Sequence, residues 1–267
     1  ISGMFNAHEY AKLPMAQLIE PAIELAEYGF VLTEKEAGSL NSVRDELLKL
    51  SSAPSAYTKN TKWKKGDTIF QPELAATLRR IQINGLAGFY EGVTADLIIR
   101  EMANGSGIIS TTDLKNYQTK KRTPIEFDYK NHHVISFSPP SSGGILIAQM
   151  MKMIAPFDIA KMGYQSPEAV GLMVESQRRA YADRAEHMGD PDFWKVPTRT
   201  LISDAYAKQR MLDYTPGVAG NSKNTIAGQA KESEQTTHYS VIDKEGNMVA
   251  ITTTLNDSYG NKTVVAG

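Results

Sequence analysis

The sequence predicts an α+β fold on three observations. Apolar residues recur at helical spacing through most of the first half, two short β-rich runs flank Lys130-Asn131-His132, and two longer threonine-bearing runs flank Asp243-Lys244-Glu245-Gly246-Asn247. Leu18, Ala22, Leu25 and Ala26 mark a first helix that Gly29 stops, and Leu40, Val43, Leu47 and Leu48 a second that ends at Ser51-Ser52-Ala53-Pro54. The stretch through Tyr57 and Trp63 to Lys65-Gly66-Asp67 is polar and turn-rich. Leu74, Leu78 and Ile81 define a helix closed by Asn84-Gly85, and Ala95, Ile98, Ile99 and Met102 another closed by Asn104-Gly105, since glycine accepts the backbone conformation a helix end needs. Thr111 or Thr112 is expected to cap a short helix through Leu114 and Tyr117.

Ile125 to Tyr129 and His133 to Ser138 read as strands. Pro139-Pro140-Ser141-Ser142-Gly143-Gly144 then leads into an apolar helix from Ile145. A loop of this kind ahead of a helix can cradle an anion, but the lysine and spacing of a phosphate loop are missing, which favours a close-packing turn near the active site. Ser166-Pro167 supplies a cap and a first-turn proline. The helix that follows is expected to run to about Arg184 with Val170, Met173, Val174 and Ala180 inward. On it Glu175, Arg178, Arg179, Asp183 and Arg184 read as a solvated face or an ion-pair network. Asp190 and Asp192 beside His187 match neither EF-hand nor zinc spacing, so no metal is expected. From Pro216 to Glu234 the chain is rich in Gly, Asn, Ser and Lys without hydrophobic periodicity and reads as a flexible linker.

Composition narrows the function classes. A length of 267 residues allows one large domain or two small ones, and the hydrophobic content of 41% is ordinary for a globular chain. A net charge of −1 removes the basic footprint that nucleic-acid binding requires. With no cysteine there is neither a disulfide framework, nor a thiolate metal site, nor a cysteine nucleophile. No apolar run reaches membrane-spanning length, and the first residues lack the basic and apolar regions of a signal peptide.

The most informative stretch is Thr236-Thr237-His238-Tyr239-Ser240-Val241, continuing through Gly246-Asn247 to Thr252-Thr253-Thr254-Leu255-Asn256 and Tyr259-Gly260. Hydroxyls recur on both arms, so that Thr236 and Thr254 can face each other across a hairpin. Threonine is also simply a good strand residue, and spacing alone does not separate the two. If Thr236 is a nucleophile it needs a base, because a threonine hydroxyl is poorly reactive near neutral pH. Cleavage between Gln235 and Thr236 would supply one, an α-amine of unperturbed pKa about 8 on the same residue. His238 shares the face of Thr236, two residues along a strand, but no acidic partner at a fixed spacing stands out, so a structural role is favoured. Thr237 points to the other face and is expected to be packed or hydrogen-bonded.

This pattern resembles the signature of the γ-glutamyltranspeptidases: Thr-Thr-His-x-Ser at the start of the small subunit, then Gly-Asn, then Thr-x-Thr-Leu-Asn and an aromatic-Gly pair. Lys65-Gly66-Asp67, Gly88-Phe89-Tyr90, Arg122-Thr123-Pro124-Ile125, the Pro139 to Gly144 loop, Ala180-Tyr181-Ala182-Asp183-Arg184 and Gly189-Asp190-Pro191-Asp192-Phe193 are similar to further landmarks of that family, in family order. The resemblance implies the N-terminal-nucleophile hydrolase fold, a four-layer αββα sandwich incomplete in this chain. Residues 1–235 would be a mainly helical large-subunit part with a flexible linker at about 216–235, and residues 236–267 the start of a small-subunit part with the nucleophile hairpin.

It further implies autocatalytic scission between Gln235 and Thr236, after which Thr236 takes a γ-glutamyl group from glutathione or another γ-glutamyl compound. The acyl group passes to water, an amino acid or a dipeptide. Thr254 would hydrogen-bond the nucleophile and Asn256 would contact the donor's α-amino end. The two pieces of the precursor would stay paired. No cofactor is implied, and the expected location is periplasmic or secreted. By the same resemblance the chain begins inside the large subunit, beyond the carboxylate-gripping arginine, and stops before the acidic residues, serine pair and oxyanion-hole glycines. The chain alone is therefore expected to be inactive, with an exposed strand edge near Thr254. Two other possibilities remain open: a sister amidohydrolase on the same scaffold, such as a cephalosporin acylase or poly-γ-glutamate depolymerase, and a catalytically silent binding or assembly module.

Overall fold

Local caps decide where the helices begin and end. In the computed structural model, which describes residues 1–225, 237–255 and 258–267, the chain divides into two compact units, Ile1–Lys120 with Ser233–Gly267, and Lys121–Glu232. The first unit is mainly helical. It contains α1 (Ser2–Ala7), α2 (Met15–Tyr28), β1 (Phe30–Val31), α3 (Glu34–Leu50), β2 (Thr68–Ile69), α4 (Pro72–Asn84), α5 (Ala87–Tyr90), α6 (Gly92–Asn104) and α7 (Thr111–Asn116).

Gly29 ends α2 as expected, with φ 76°. It also lets β2 approach, because a Cβ there would lie 2.6 Å from the Ile69 carbonyl oxygen. The start of α3 is a reciprocal cap: Thr33 Oγ1 accepts the Glu36 N–H at 3.3 Å while the Glu36 carboxylate accepts the Thr33 N–H at 2.7 Å. The same device starts α7, where Ser110, not Thr111 or Thr112, is the cap and Asp113 returns the bond at 2.8 Å. The expected cap lies one or two residues too late because Asp113 stands three residues after Ser110, the spacing the two-way bond demands.

β1 pairs antiparallel with β2, and beside them Leu32, Ala37, Leu40, Trp63 and Ile69 form a buried cluster against which Tyr57 and Tyr259 pack. On α2 the buried residues are Ile23 and Ala26, while Leu18 and Leu25 are exposed. The helical period was legible but the stripe is rotated, because the side of α2 that matters is the one against α4. Leu18 instead lines an apolar cleft of about 480 Å³ with Met4, Phe5 and Met15.

The second unit holds β3 (Ile125–Tyr129), β4 (His132–Ser136), α8 (Gly143–Ile154), α9 (Ile159–Met162), α10 (Pro167–His187), α11 (Thr198–Leu201) and α12 (Asp204–Arg210). β3 and β4 pair antiparallel from Ile125 opposite Ser136 to Tyr129 opposite His132. That register leaves Lys130-Asn131 as the turn, with Lys130 at φ 51°, and begins the second strand one residue earlier than expected. Alternation then buries Ile125 and Phe127 against Ile145, Ala148 and Leu201, with Glu126 and Asp128 outward.

The Gly-Ser loop packs closely, as expected. A Cβ on Gly144 would lie 2.0 Å from the Phe137 carbonyl oxygen and 3.2 Å from Ile125 Cβ. Ser142 Oγ accepts a hydrogen bond from Arg184 Nε at 3.0 Å. Gly144→Ala should therefore cost about 3 kcal/mol through forced backbone displacement, read as a lower midpoint in thermal denaturation. An unchanged midpoint would show that the turn has room to spare.

The long helix α10 begins at Ser166, whose Oγ accepts the Ala169 N–H at 3.1 Å. Its inward face is not the expected one. Val170, Met173 and Val174 are 42%, 40% and 43% exposed, whereas Glu175, Arg179 and Asp183 are 5%, 6% and 4% exposed. Of the four residues expected inward only Ala180 is buried. The physical reason is that the charges are satisfied partly by one another along the helix and partly by groups beyond it. Arg179 Nη1 donates to Glu175 Oε2 at 2.6 Å, Arg179 Nη2 to Asp213 Oδ1 at 2.8 Å and Arg179 Nε to the Arg210 carbonyl at 2.7 Å. Asp183 pairs with Arg210 at 3.2 Å and accepts from Gln149 Nε2 at 2.8 Å. With these partners the carboxylates and guanidinium of the stripe can be buried.

The same cluster holds part of the expected linker. Gly220 donates its N–H to Glu175 Oε1 at 2.8 Å, and a Cβ on it would lie 2.4 Å from Arg178 Nη1. Within the described portion of the 216–235 stretch Gly220 is thus tied to α10 while residues 216–224 are exposed, and residues 226–235 lie outside the described residues. The last two strands, β5 (Thr237–Ile242) and β6 (Met248–Thr253), form a third antiparallel ladder.

Candidate functional site

The hairpin is closed by its turn. Asp243 Oδ1 accepts the N–H groups of Glu245 at 3.0 Å and Asn247 at 2.8 Å, Oδ2 accepts from Asn247 Nδ2 at 2.8 Å, and Gly246 takes φ 86°. An aspartate satisfying several turn donors is what pins a loop of this length. The Asn247 side chain and backbone N–H together hold the Asp243 carboxyl below the usual carboxylate range.

With the turn set, register follows. Thr237 stands opposite Thr253, His238 opposite Thr252, Tyr239 opposite Ile251, Ser240 opposite Ala250, Val241 opposite Val249 and Ile242 opposite Met248. Alternation divides these pairs into two faces. One carries Thr237, Tyr239, Val241, Val249, Ile251 and Thr253. The other carries His238, Ser240 and Thr252, and on it His238 Nδ1 lies 2.8 Å from Thr252 Oγ1 and His238 Nε2 3.2 Å from Ser240 Oγ. A neutral imidazole donates through one nitrogen and accepts through the other, and each hydroxyl can supply either complement. Both ring nitrogens are thereby occupied by hydroxyls within the hairpin, which agrees with a structural His238. Thr237 is on the opposite face, as expected, and exposed.

All strand residues of the hairpin are exposed. Thr254 follows β6 directly and is also exposed. Gln235, Thr236 and Asn256 lie outside the described residues. The described site is therefore the frame on either side of them: the ladder up to Thr237 opposite Thr253, and then Thr254-Leu255 and Ser258-Tyr259-Gly260.

Two contributors to this frame had no weight in the sequence. Thr252 was one threonine among several until the register set it against His238. Ser39, on α3, accepts a hydrogen bond from Tyr259 Oη at 2.9 Å across 220 residues. The aromatic-Gly pair was the only sequence signal that pointed at Tyr259.

Elsewhere, Asp190 and Asp192 face Arg122 at 3.6 and 3.1 Å, and the backbone carbonyl of His187 accepts the Trp194 indole N–H at 3.1 Å. Among the described residues no group of three or more His, Asp or Glu side chains is placed to hold a metal ion, and no helix is long and apolar enough to cross a membrane.

Comparison with known proteins bears on the whole chain. The family profile described as Gamma-glutamyltranspeptidase matches residues 1–267. A glutathione hydrolase proenzyme from Pseudomonas sp. (strain A14) is 40% identical over 271 residues, covering 100% of this chain and 47% of that protein. A second, from Escherichia coli (strain K12), is 41% identical over 263 residues, covering 97% of this chain and 45% of that protein. The chain thus spans just under half the length of these curated relatives. Among solved structures, the γ-glutamyltranspeptidase of Helicobacter pylori superposes with a TM-score of 0.78 at 36% identity, over 85% of this chain and 66% of that one.

Proposed function

The chain belongs to the γ-glutamyltranspeptidase family and has its N-terminal-nucleophile hydrolase fold, and from that premise we propose that the protein carrying it is a glutathione hydrolase and γ-glutamyltransferase with Thr236 as nucleophile. The observation that carries the proposal is the hairpin register. The described ladder ends at Thr237 opposite Thr253. That end point supports the expectation that a nucleophile after Gln235 works together with Thr254, the residue that directly follows β6.

In maturation, Thr236 Oγ attacks the Gln235 carbonyl carbon, the C–N bond breaks as its nitrogen takes up a proton, and an ester joins Gln235 to Thr236 Oγ. Water hydrolyses the ester and leaves a free α-amine on Thr236. In turnover that amine accepts the hydroxyl proton while Oγ attacks the γ-carbonyl carbon of the donor. The proton passes to the departing amine, which for glutathione is cysteinylglycine. The remaining γ-glutamyl ester is resolved by water or by an amino acid or dipeptide amine. Thr254 holds the nucleophile's hydroxyl in its attacking rotamer, and Asn256 contacts the donor's α-amino end. His238, bonded on both ring nitrogens by hydroxyls, has a structural role on that face. The two pieces of the precursor remain together as large and small subunits. A periplasmic or secreted location is part of the same proposal.

The test is the intact mass of the full-length protein after incubation at neutral pH, followed by turnover of γ-glutamyl-p-nitroanilide and glutathione. Expected are two masses that meet between Gln235 and Thr236, and release of p-nitroaniline and cysteinylglycine. A protein that is cut but prefers glutaryl over γ-glutamyl donors would be an acylase on this scaffold. One uncut mass with no turnover would leave a silent binding module.

A further inference from the structure

The end of β6 needs something to hold it. Every residue of β5 and β6 is exposed, so the ladder does not seat itself by burying either face among the described residues. The segment that follows behaves differently: all but one of residues 258–267 are half-buried. Tyr259 places its ring against the Leu32, Trp63 and Ile69 cluster, and its hydroxyl donates to Ser39 Oγ at 2.9 Å. Lys262 Nζ lies 3.2 Å from Glu46 Oε2, Ser51 Oγ accepts the Val264 N–H at 3.0 Å, and the Gly267 carbonyl accepts the Ala56 N–H at 3.2 Å. Val264 to Gly267 run along a cleft of about 410 Å³ that also has Tyr57, Gln71, Leu97 and Ile98 in its walls.

This strap is held in an unfavourable backbone conformation. Tyr259, Lys262 and Ala266 have φ of 58°, 61° and 49°, half of the non-glycine residues with positive φ among the described residues. For a bulky residue such as tyrosine that region is costly, and it persists only where surrounding contacts over-determine it. The strap also touches the end of the ladder. Leu255, next to Thr254, closes on Gly260: a Cβ there would lie 3.3 Å from Leu255 Cβ. Gly260 is adjacent to Tyr259.

We propose that Tyr259, anchored on Ser39 of α3, is a positioning residue for Thr254, so that the body of the first unit sets the hydroxyl that orients the nucleophile. The inference rests on the role given to Thr254 under the proposed function. If Thr254 orients Thr236 Oγ in both maturation and turnover, loosening its seat slows both steps and leaves ground-state donor binding alone.

The test uses Tyr259→Phe, Ser39→Ala and the double variant in the full-length protein. The readouts are self-scission rate by intact mass, kcat and KM for γ-glutamyl-p-nitroanilide, and Tm. Each single variant should lower kcat and the scission rate about three- to tenfold with KM within about twofold, the range a single neutral hydrogen bond supports. The double variant should be no slower than either single one, since both remove the same bond. Tyr259→Ala, which also removes the ring, should slow both steps more than about tenfold. A fall in Tm with kcat and scission unchanged would overturn the proposal and leave Tyr259 a structural residue. A raised KM at unchanged kcat would overturn it too, because the strap would then act on donor binding. Where Tyr259→Ala does not fold, the two conservative variants decide. An unsubstituted protein that neither cuts itself nor turns over donor rejects the proposed function itself, a result separate from any difference between variants.

Discussion

Thr236→Ala should leave the protein as one uncut chain and lower γ-glutamyl turnover by on the order of 10⁴-fold or more, the usual consequence of removing a nucleophile on which both bond making and bond breaking depend. Both losses come from one oxygen. Without Oγ there is no N-to-O shift at Gln235, and without scission the α-amine that would act as base stays locked in an amide. Thr236→Ser keeps an oxygen and an amine and should retain both steps at reduced rates. Intact mass and p-nitroaniline release measure the two steps separately. Scission of Thr236→Ala at the unsubstituted rate would assign the chemistry to another residue and remove the basis of the proposed function.

Arg179→Ala should be among the most destabilising single changes in the second unit, at about 3 kcal/mol, because it takes one of the two arginines from the buried Glu175 carboxylate and leaves Arg178 alone to pair it. Glu175 would lose its 2.6 Å partner while only 5% exposed, and Asp213 and the Arg210 carbonyl would each lose a donor. Thermal or denaturant unfolding measures the effect. A loss under about 1 kcal/mol would mean that Arg178, already 2.5 Å from Glu175 Oε1, satisfies the carboxylate without Arg179.

The cluster also predicts a pH dependence. Burial pushes the Glu175 carboxyl up, but the Arg179 hydrogen bond, the Gly220 N–H and the charges of Arg178 and Arg179 outweigh it and hold the group below its ordinary value of 4.5. A depressed carboxylate contributes stability that is fully present above its unfolded value and is lost as pH falls through the folded one. Glu175→Gln cannot titrate and should flatten the dependence of Tm on pH between about 6 and 3. Asp183 acts in the opposite sense, since burial raises its carboxyl despite the Arg210 charge. The comparison is therefore between the variant and the unsubstituted protein. Identical slopes would show that Glu175 carries no net linkage.

Short-range signals were legible from residues alone. Gly29 and Gly85 end their helices, Ser166-Pro167 starts the long one, and Asp243 to Asn247 turns the hairpin, because each depends on hydrogen bonds within four residues. The caps at Thr33 and Ser110 are equally local, each marked by an acidic residue three positions on that returns the bond. The inward face of α10 was misassigned for a different reason. Hydropathy points Val170, Met173 and Val174 inward, yet the partners that make Glu175, Arg179 and Asp183 buriable include Gly220, Asp213 and Arg210, all beyond the helix.

The family pattern is written in residue types alone: a threonine after Gln235, another at Thr254, and a turn that joins two threonine-bearing strands. These are local patterns, and a residue's type and its near neighbours are enough to state them. Which charges are buried, and where the segment after the hairpin is fixed, depends instead on packing between residues distant in the chain. The bond between Tyr259 and Ser39 joins residues 220 apart in the chain, and no periodicity or motif encodes a contact at that separation. It exists because packing against Leu32, Trp63 and Ile69 brings the two side chains to one surface.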